Sequence, residues 1–407
     1  MIAARSFLTS IRALGAERLW LLGTLTGGHF VIHWFQQFYP VILPSLKSGL
    51  GLTNVEIGAL SSAQQLVLGV AQLPLGMIAD SMVRRRATIL ALALVSMGAG
   101  YFLLGLPLFK WALLGSGLIG LGTALWHPTA AASLSNRFPE RRATALSVHG
   151  TGATLSDTLT PLGVGVLLAN FSWQTVTQAQ LIPGLLFGLV IWRALAGVFT
   201  DGASRPARAA TRFREVAALL KSPAFLGVSV ATGTLQMARV VILTFLPIYL
   251  QEHLLYSPVA LGFFIALLHV MGTVSQPILG MLSDRFGRKA VLLPSCLMLG
   301  LFFTLLAVVP PGVPLGLVII AIGIFFYTLF NILNAAVMDV AGAGIQASTY
   351  GLTSLITQLA VIPAPVITGY LIGPLGIKFA FVLAGIFLFI GALVIAPLKL
   401  YGGSRNS

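Results

Sequence analysis

From residue 19 to residue 46 the chain carries no Asp, Glu, Lys or Arg, and such intervals recur along its length. Residues 57–79, 87–109 and 158–192 are likewise free of charge. A helix needs about 20 residues to cross the hydrocarbon of a bilayer, so each interval is long enough to span one. Only 8% of the 407 residues are charged, against roughly 25% in a soluble domain. Mean hydropathy is +0.96. So few charges cannot cover a water-facing surface, and lipid must be the outer solvent.

The charges that exist are ordered. Arg84, Arg85 and Arg86 fall in one gap between apolar intervals; Arg137, Arg141 and Arg142 fall in another. Arg205, Arg208, Arg212, Arg214 and Lys221 form a third burst, and Arg285, Arg288 and Lys289 a fourth. The intervening gaps hold little more than Lys47, Lys110 and Lys378. This alternation is the positive-inside bias, and it predicts that both termini are cytoplasmic. It also accounts for the net charge of +14 without nucleic acid, since no aromatic-interleaved basic patch accompanies it. The single cysteine, Cys296, excludes an intrachain disulfide and a thiolate metal cluster. Arg5, Arg12 and Arg18 precede an apolar interval too long for a signal-peptide core, which reads as an uncleaved first helix.

Twelve spans fit between residues 19 and 398. The polar, basic stretch 200–222 divides them into an N-terminal six-helix bundle, 1–199, and a C-terminal one, 223–407. The halves repeat each other. LGLTNVEIGA and VAQLPLGMIADSMVRRR around the second span correspond to LLYSPVALGF and VSQPILGMLSDRFGRK around the eighth. At one constant offset Gly58 matches Gly262, Gln72 matches Gln276, Gly76 matches Gly280, Asp80 matches Asp284 and Arg84 matches Arg288.

GMLSDRFGRK resembles the loop signature of the major facilitator superfamily: Gly280, Asp284, Arg285, Gly287 and then Arg288. In the first copy Gly76, Asp80 and Arg84 remain, but Ser81 and Val83 replace the usual basic residue and the turn glycine. The resemblance covers essentially the whole chain. It implies an all-α membrane protein of twelve helices in two pseudo-symmetric bundles. It also implies alternating access, no enzymatic activity and a monomeric carrier. The histidine-bearing first helix ending in FYPVILP, the WHPT of helix four and the proline of helix five are similar to the fosmidomycin-resistance branch of proton-driven exporters. By this resemblance Asp80 latches onto the start of helix eleven and Asp284 onto the start of helix five. An acid facing a helix N-terminus gains about 0.3–1 kcal/mol when exposed.

The residues HFVIHWFQQFYP at 29–40 pose a separate question, because polar groups are costly in hydrocarbon. His29, His33, Gln36 and Pro40 fall within about 60° on a helical wheel and form one polar stripe. The resemblance implies that helices one, four, seven and ten line a central cavity, so the stripe would face the substrate path. His127 in helix four, Gln236 and Arg239 in helix seven, and Tyr327, Asn331 and Asn334 in helix ten are the other candidate substrate contacts. Arg239 near mid-membrane requires an acidic partner or an anionic ligand. Asp157, in the middle of helix five, is the obvious carboxylate, which makes it the candidate proton carrier, with His33 second. His149 and His269 read singly as hydrogen-bonded core histidines. His29 and His33, one turn apart, could share a metal, but no HExxH pattern or neighbouring acid completes a site, so no metal is expected. No cofactor is expected, and the lack of a GxxxxGK[ST] loop argues against direct ATP drive.

Together these readings predict a secondary transporter in the bacterial inner membrane, exporting a small organic molecule in exchange for protons. Two alternatives stand beside it: proton-coupled uptake of a small anionic or amphipathic solute, and a sensor of transporter descent that does not cycle.

Overall fold

In the computed structural model, residues 15–199, 219–341 and 346–400 are described, apart from a few side chains within helices, among them those of residues 79–81. The described chain is helical and without strands. The rods are α1 (Ala16–Leu50), α2 (Asn54–Ser81), α3 (Arg86–Leu104), α4 (Phe109–Arg137) and α5 (Arg142–Asn170). Next come α6 in two pieces (Trp173–Gln178 and Leu181–Leu195), α7 (Pro223–Ile248), α8 (Pro258–Phe286) and α9 (Arg288–Leu305). The last three are α10 in two pieces (Val313–Phe326 and Thr328–Ala341), α11 in two pieces (Gln346–Val361 and Ala364–Leu375) and α12 (Lys378–Ile395). Among the described residues, 9 helical stretches are long and apolar enough to cross a membrane. The rods α1, α2 and α4, at 35, 28 and 29 residues, also exceed the ~20 residues that a bilayer requires. This is an integral membrane protein.

Local sequence starts these helices at defined points. Thr53 caps α2 in a capping box with Glu56, so two orphan amide donors are satisfied reciprocally. Ser257 caps α8 by accepting from the Ala260 amide, and Pro258 occupies the first turn, where its missing N–H costs nothing. Thr53 and Ser257 stand at the same offset as Gly58 and Gly262, so the duplication extends to the helix caps.

Helices α1–α6 pack chiefly on one another, as do α7–α12; α2 with α11 and α5 with α8 make the main crossings between the groups. Those crossings depend on missing side chains. A Cβ on Gly58 would lie 2.3 Å from the Pro365 carbonyl oxygen, and one on Gly369 2.3 Å from that of Asn54. A Cβ on Gly165 would lie 2.5 Å from the Pro258 oxygen, and one on Gly262 2.2 Å from that of Pro161. Gly165 matches Gly369 and Pro161 matches Pro365 at the repeat's own offset, so the same close crossing is built twice. Both lie at the end of the molecule opposite Arg84, Arg137 and Arg288. Lys47, near the end of α1, pairs there with Glu252, in the turn Tyr249–His253 after α7. At the arginine end, Arg18 pairs with Glu140 and Arg137 with Glu17, tying α1 to the α4–α5 region.

Candidate functional site

The polar stripe of α1 meets α4 and α5. His29, His33 and Gln37 are spaced by four, so they project from nearly one face. His33 donates Nδ1–H to Asp157 Oδ1 at 2.7 Å, and Gln37 Nε2 donates to the same oxygen at 3.0 Å. His29 Nδ1 donates to the His149 carbonyl at 3.0 Å, and the two rings stack with centroids 3.9 Å apart. His127 Nδ1 donates to the Thr123 carbonyl at 3.1 Å. Gln36 points elsewhere, donating to Thr123 Oγ1 at 3.2 Å.

The result is a cluster of four imidazoles backed by a carboxylate, with Asp157 only 9% exposed. His29 lies 4.6 Å from His33 and 5.5 Å from His127 between ring centroids, and His33 lies 5.9 Å from His127. One ring nitrogen each from His29, His33 and His127 comes within 4.8 Å of the others, a grouping that could hold a metal ion. The expectation that no acid stands near these histidines is therefore corrected: Asp157 reaches His33 from a neighbouring helix, a proximity that spacing along α1 cannot reveal.

The second part of the site sits on α7 and α10. Arg239 Nη1 donates to Gln236 Oε1 at 2.6 Å, one turn away on the same helix. Its guanidinium carbon lies 4.8 Å from the Phe326 ring centroid, 4.7 Å from Tyr327 and 5.5 Å from Phe330. Three aromatic faces thus solvate the cation. Its Nε is buried and, among the described residues, has no hydrogen-bond partner. Asp157, the carboxylate that could have neutralised Arg239, is engaged by His33 and Gln37 instead. The two charges remain within electrostatic reach of each other.

Tyr327 Oη hydrogen-bonds His269 Nδ1 at 2.7 Å, so His269 belongs to this part of the site. Asn331 donates to Gln276 Oε1 at 2.9 Å, bridging α10 and α8, and Asn334 is half-buried on the same piece of α10. Gln37, His149 and His269 are the residues that the sequence reading underrated. For Gln37 a signal existed, since it continues the four-residue spacing from His29 and His33. For the two histidines there was none, because their partners come from other helices.

In the signature loop, Gly287 has φ 94°, a left-handed value suited to glycine, just before α9. Asp284 pairs with Arg288, which also bonds Asp339 of α10 at 2.9 Å. Arg285 is exposed above the Phe286 ring. The first copy turns differently: Val83 cannot favour positive φ, and Val83–Arg85 form a 3-10 turn with Arg84 exposed. The side chains of Asp80 and of the first residues of α11 are outside what is described. Gly76 has Pro128 Cβ as its nearest prospective neighbour, at 3.7 Å, and Gly280 has nothing within 4 Å, so neither marks a tight crossing.

The sequence pattern of the Major Facilitator Superfamily matches residues 25–365 and 274–405. A Cupriavidus necator protein named "Probable sulfoacetate transporter SauU" is 24% identical over 412 residues, covering 92% of both chains. Among solved structures, a bacterial homologue of the lysosomal transporter Spinster in an inward-facing, unoccupied conformation shares the fold with a TM-score of 0.76. Its identity is 18%, over 94% of this chain and 97% of that one. A structure of the nucleoside transporter NupG has a TM-score of 0.78 at 16% identity, covering 92% and 99%. The twelve rods, the duplicated crossings and the matched pattern agree: this chain belongs to the Major Facilitator Superfamily and is a membrane transporter, not an enzyme.

Proposed function

We propose that the protein carries a small organic anion by alternating access, coupled to protons, in the bacterial inner membrane with both termini cytoplasmic. Arg239 carries this reading. A guanidinium deep in the helix bundle with aromatic faces around it, a spare N–H and no carboxylate partner among the described residues is built to receive an anion. Its planar fork suits carboxylates, sulfonates and phosphonates, which accept two parallel hydrogen bonds. The Cupriavidus relative is named for sulfoacetate, a molecule of this class.

The membrane potential supports one reading of the direction. An inside-negative potential of 100 mV opposes entry of each negative charge by about 2.3 kcal/mol and favours its exit. Entry therefore needs accompanying protons, and exit does not. We place the proton on the His33–Asp157 pair and read the protein as an importer rather than the exporter suggested by the helix-five resemblance. His29, Gln36, His127, Gln236, Tyr327, Asn331 and Asn334 line the path, and the carrier works as a monomer. The Asp80 and Asp284 loops act as latches when the arginine end closes.

The test is proton flux into liposomes holding a pH-sensitive dye, with small carboxylates, sulfonates and phosphonates offered outside. Anion-dependent acidification that is lost in Asp157→Asn and Arg239→Gln is expected. Transport of neutral cargo alone, or anion exchange without acidification, would overturn this reading. Binding of an anion without any flux would point to the non-cycling sensor instead.

A further inference from the structure

The histidine cluster has a property that carrying one proton does not explain. His29 and His127 direct Nδ1 at backbone carbonyls, which can only accept, so each Nδ1 must hold the hydrogen. His33 directs Nδ1 at a carboxylate, with the same consequence. In all three neutral rings Nε2 is therefore a lone-pair acceptor. The Nε2 of His29 is buried and has no partner among the described residues. Three acceptors gathered from two helices, each locked in the same tautomer by a second-shell bond, is the arrangement by which proteins ligate metals through imidazole. The carboxylate–histidine pair of Asp157 and His33 is the most characteristic part of it.

We propose that His29, His33 and His127 form a binding site for a borderline divalent transition-metal ion, with Zn2+ as its representative. Imidazole selects Zn2+, Ni2+ and Cu2+ over Mg2+ and Ca2+, which prefer oxygen. A tetrahedral ion with bonds of about 2.0–2.1 Å holds its ligand nitrogens about 3.4 Å apart. One ligand nitrogen from each of the three rings lies within 4.8 Å of the others, so the rings draw together by up to about 1.4 Å to hold one ion. His33 and His127 are part-buried, the His33 side chain 16% exposed. His149 stacks face to face on His29 and supports the ring from behind. The ion rests on this geometry alone, not on the nature of the cargo.

The experiment uses the full chain in detergent, purified on a tag free of histidine and stripped with a chelator. Zn2+ is titrated by calorimetry, and Co2+ by its visible absorption, which reports tetrahedral nitrogen ligation. One equivalent per chain is expected. Affinity should fall at least 100-fold in His33→Ala and in His127→Ala, and about 10–100-fold in Asp157→Asn, whose loss frees the His33 ring. His253→Ala, in the turn after α7, should stay within twofold of the wild type. Thermal melting verifies that each variant is folded, and His127→Gln replaces His127→Ala if the latter is not. The absence of saturable binding to folded wild-type protein at up to millimolar Zn2+ would sink the proposal. So would binding that survives both histidine substitutions within twofold. Because no cargo is present, failure here leaves the transport reading untouched, and failure of transport leaves this one intact.

Discussion

At the scale of single residues, Arg239 and Asp157 show how partner choice sets chemistry. Each is a charge in a bundle of low polarity, and each could have neutralised the other. Asp157 is held instead by His33 and Gln37, and Arg239 by Gln236 and three rings. The guanidinium is thereby solvated but not neutralised, which leaves it available. Arg239→Lys keeps the charge but loses the fork and the stacking. We expect it to raise the KM for an anionic cargo about 10–100-fold, the worth of a charged hydrogen bond of ~1.5–3 kcal/mol. Counterflow kinetics would measure this, and an unchanged KM would remove Arg239 from the site. Gln37→Leu leaves one side of a buried carboxylate unsatisfied and should destabilise the fold by about 1–3 kcal/mol, read as a lower Tm in detergent. The candidate residues of α1, α5, α7 and α10 were legible because polar groups in apolar intervals stand out. Their partners were not, since every contact that decides a role joins residues on different turns or different helices.

At the scale of elements, the informative feature is the pair of glycine crossings, α2 on α11 and α5 on α8. Backbone approaches this close exist because Gly58, Gly165, Gly262 and Gly369 add no Cβ. In a membrane, where lipid is as apolar as leucine, such contacts hold helices together by dispersion rather than by expulsion of water. Gly262→Ala puts a methyl 2.2 Å from a carbonyl oxygen on a rigid helix, so the helices must separate. The expected outcome is a shift toward the conformation open at this end, seen as faster labelling of a cysteine introduced beside Pro161. The repeat-related Gly58→Ala should do the same beside Pro365. Labelling rates unchanged in both would show that the crossings do not hold the end shut. The sequence offered Gly58 and Gly262 as a matched pair, yet nothing in it said that they meet proline carbonyls across the bundle interface.

At the scale of the whole molecule, Lys47 and Glu252 join the two halves at the same end as the glycine crossings. Their side chains are 15% and 27% exposed, between a surface pair and a buried one. An exposed pair contributes ~0–1 kcal/mol, so Lys47→Gln should shift the balance of conformations by up to about fivefold toward opening at that end. The swap of Lys47→Glu with Glu252→Lys should restore it; distance measurements between spin labels on the two halves would report both. The sequence by itself determined that the chain lives in lipid, that it is helical and that it is a duplicated unit. Those properties rest on hydrophobicity, charge spacing and self-similarity, which are one-dimensional and survive without any contact. Only the tertiary structure decided that Asp157 serves histidines rather than Arg239, that four imidazoles converge, and that glycine crossings and an ion pair join the halves at one end. The physical reason is that polar groups in a membrane take whichever partner the packing brings within 3 Å, and packing is settled by helices far apart in the chain.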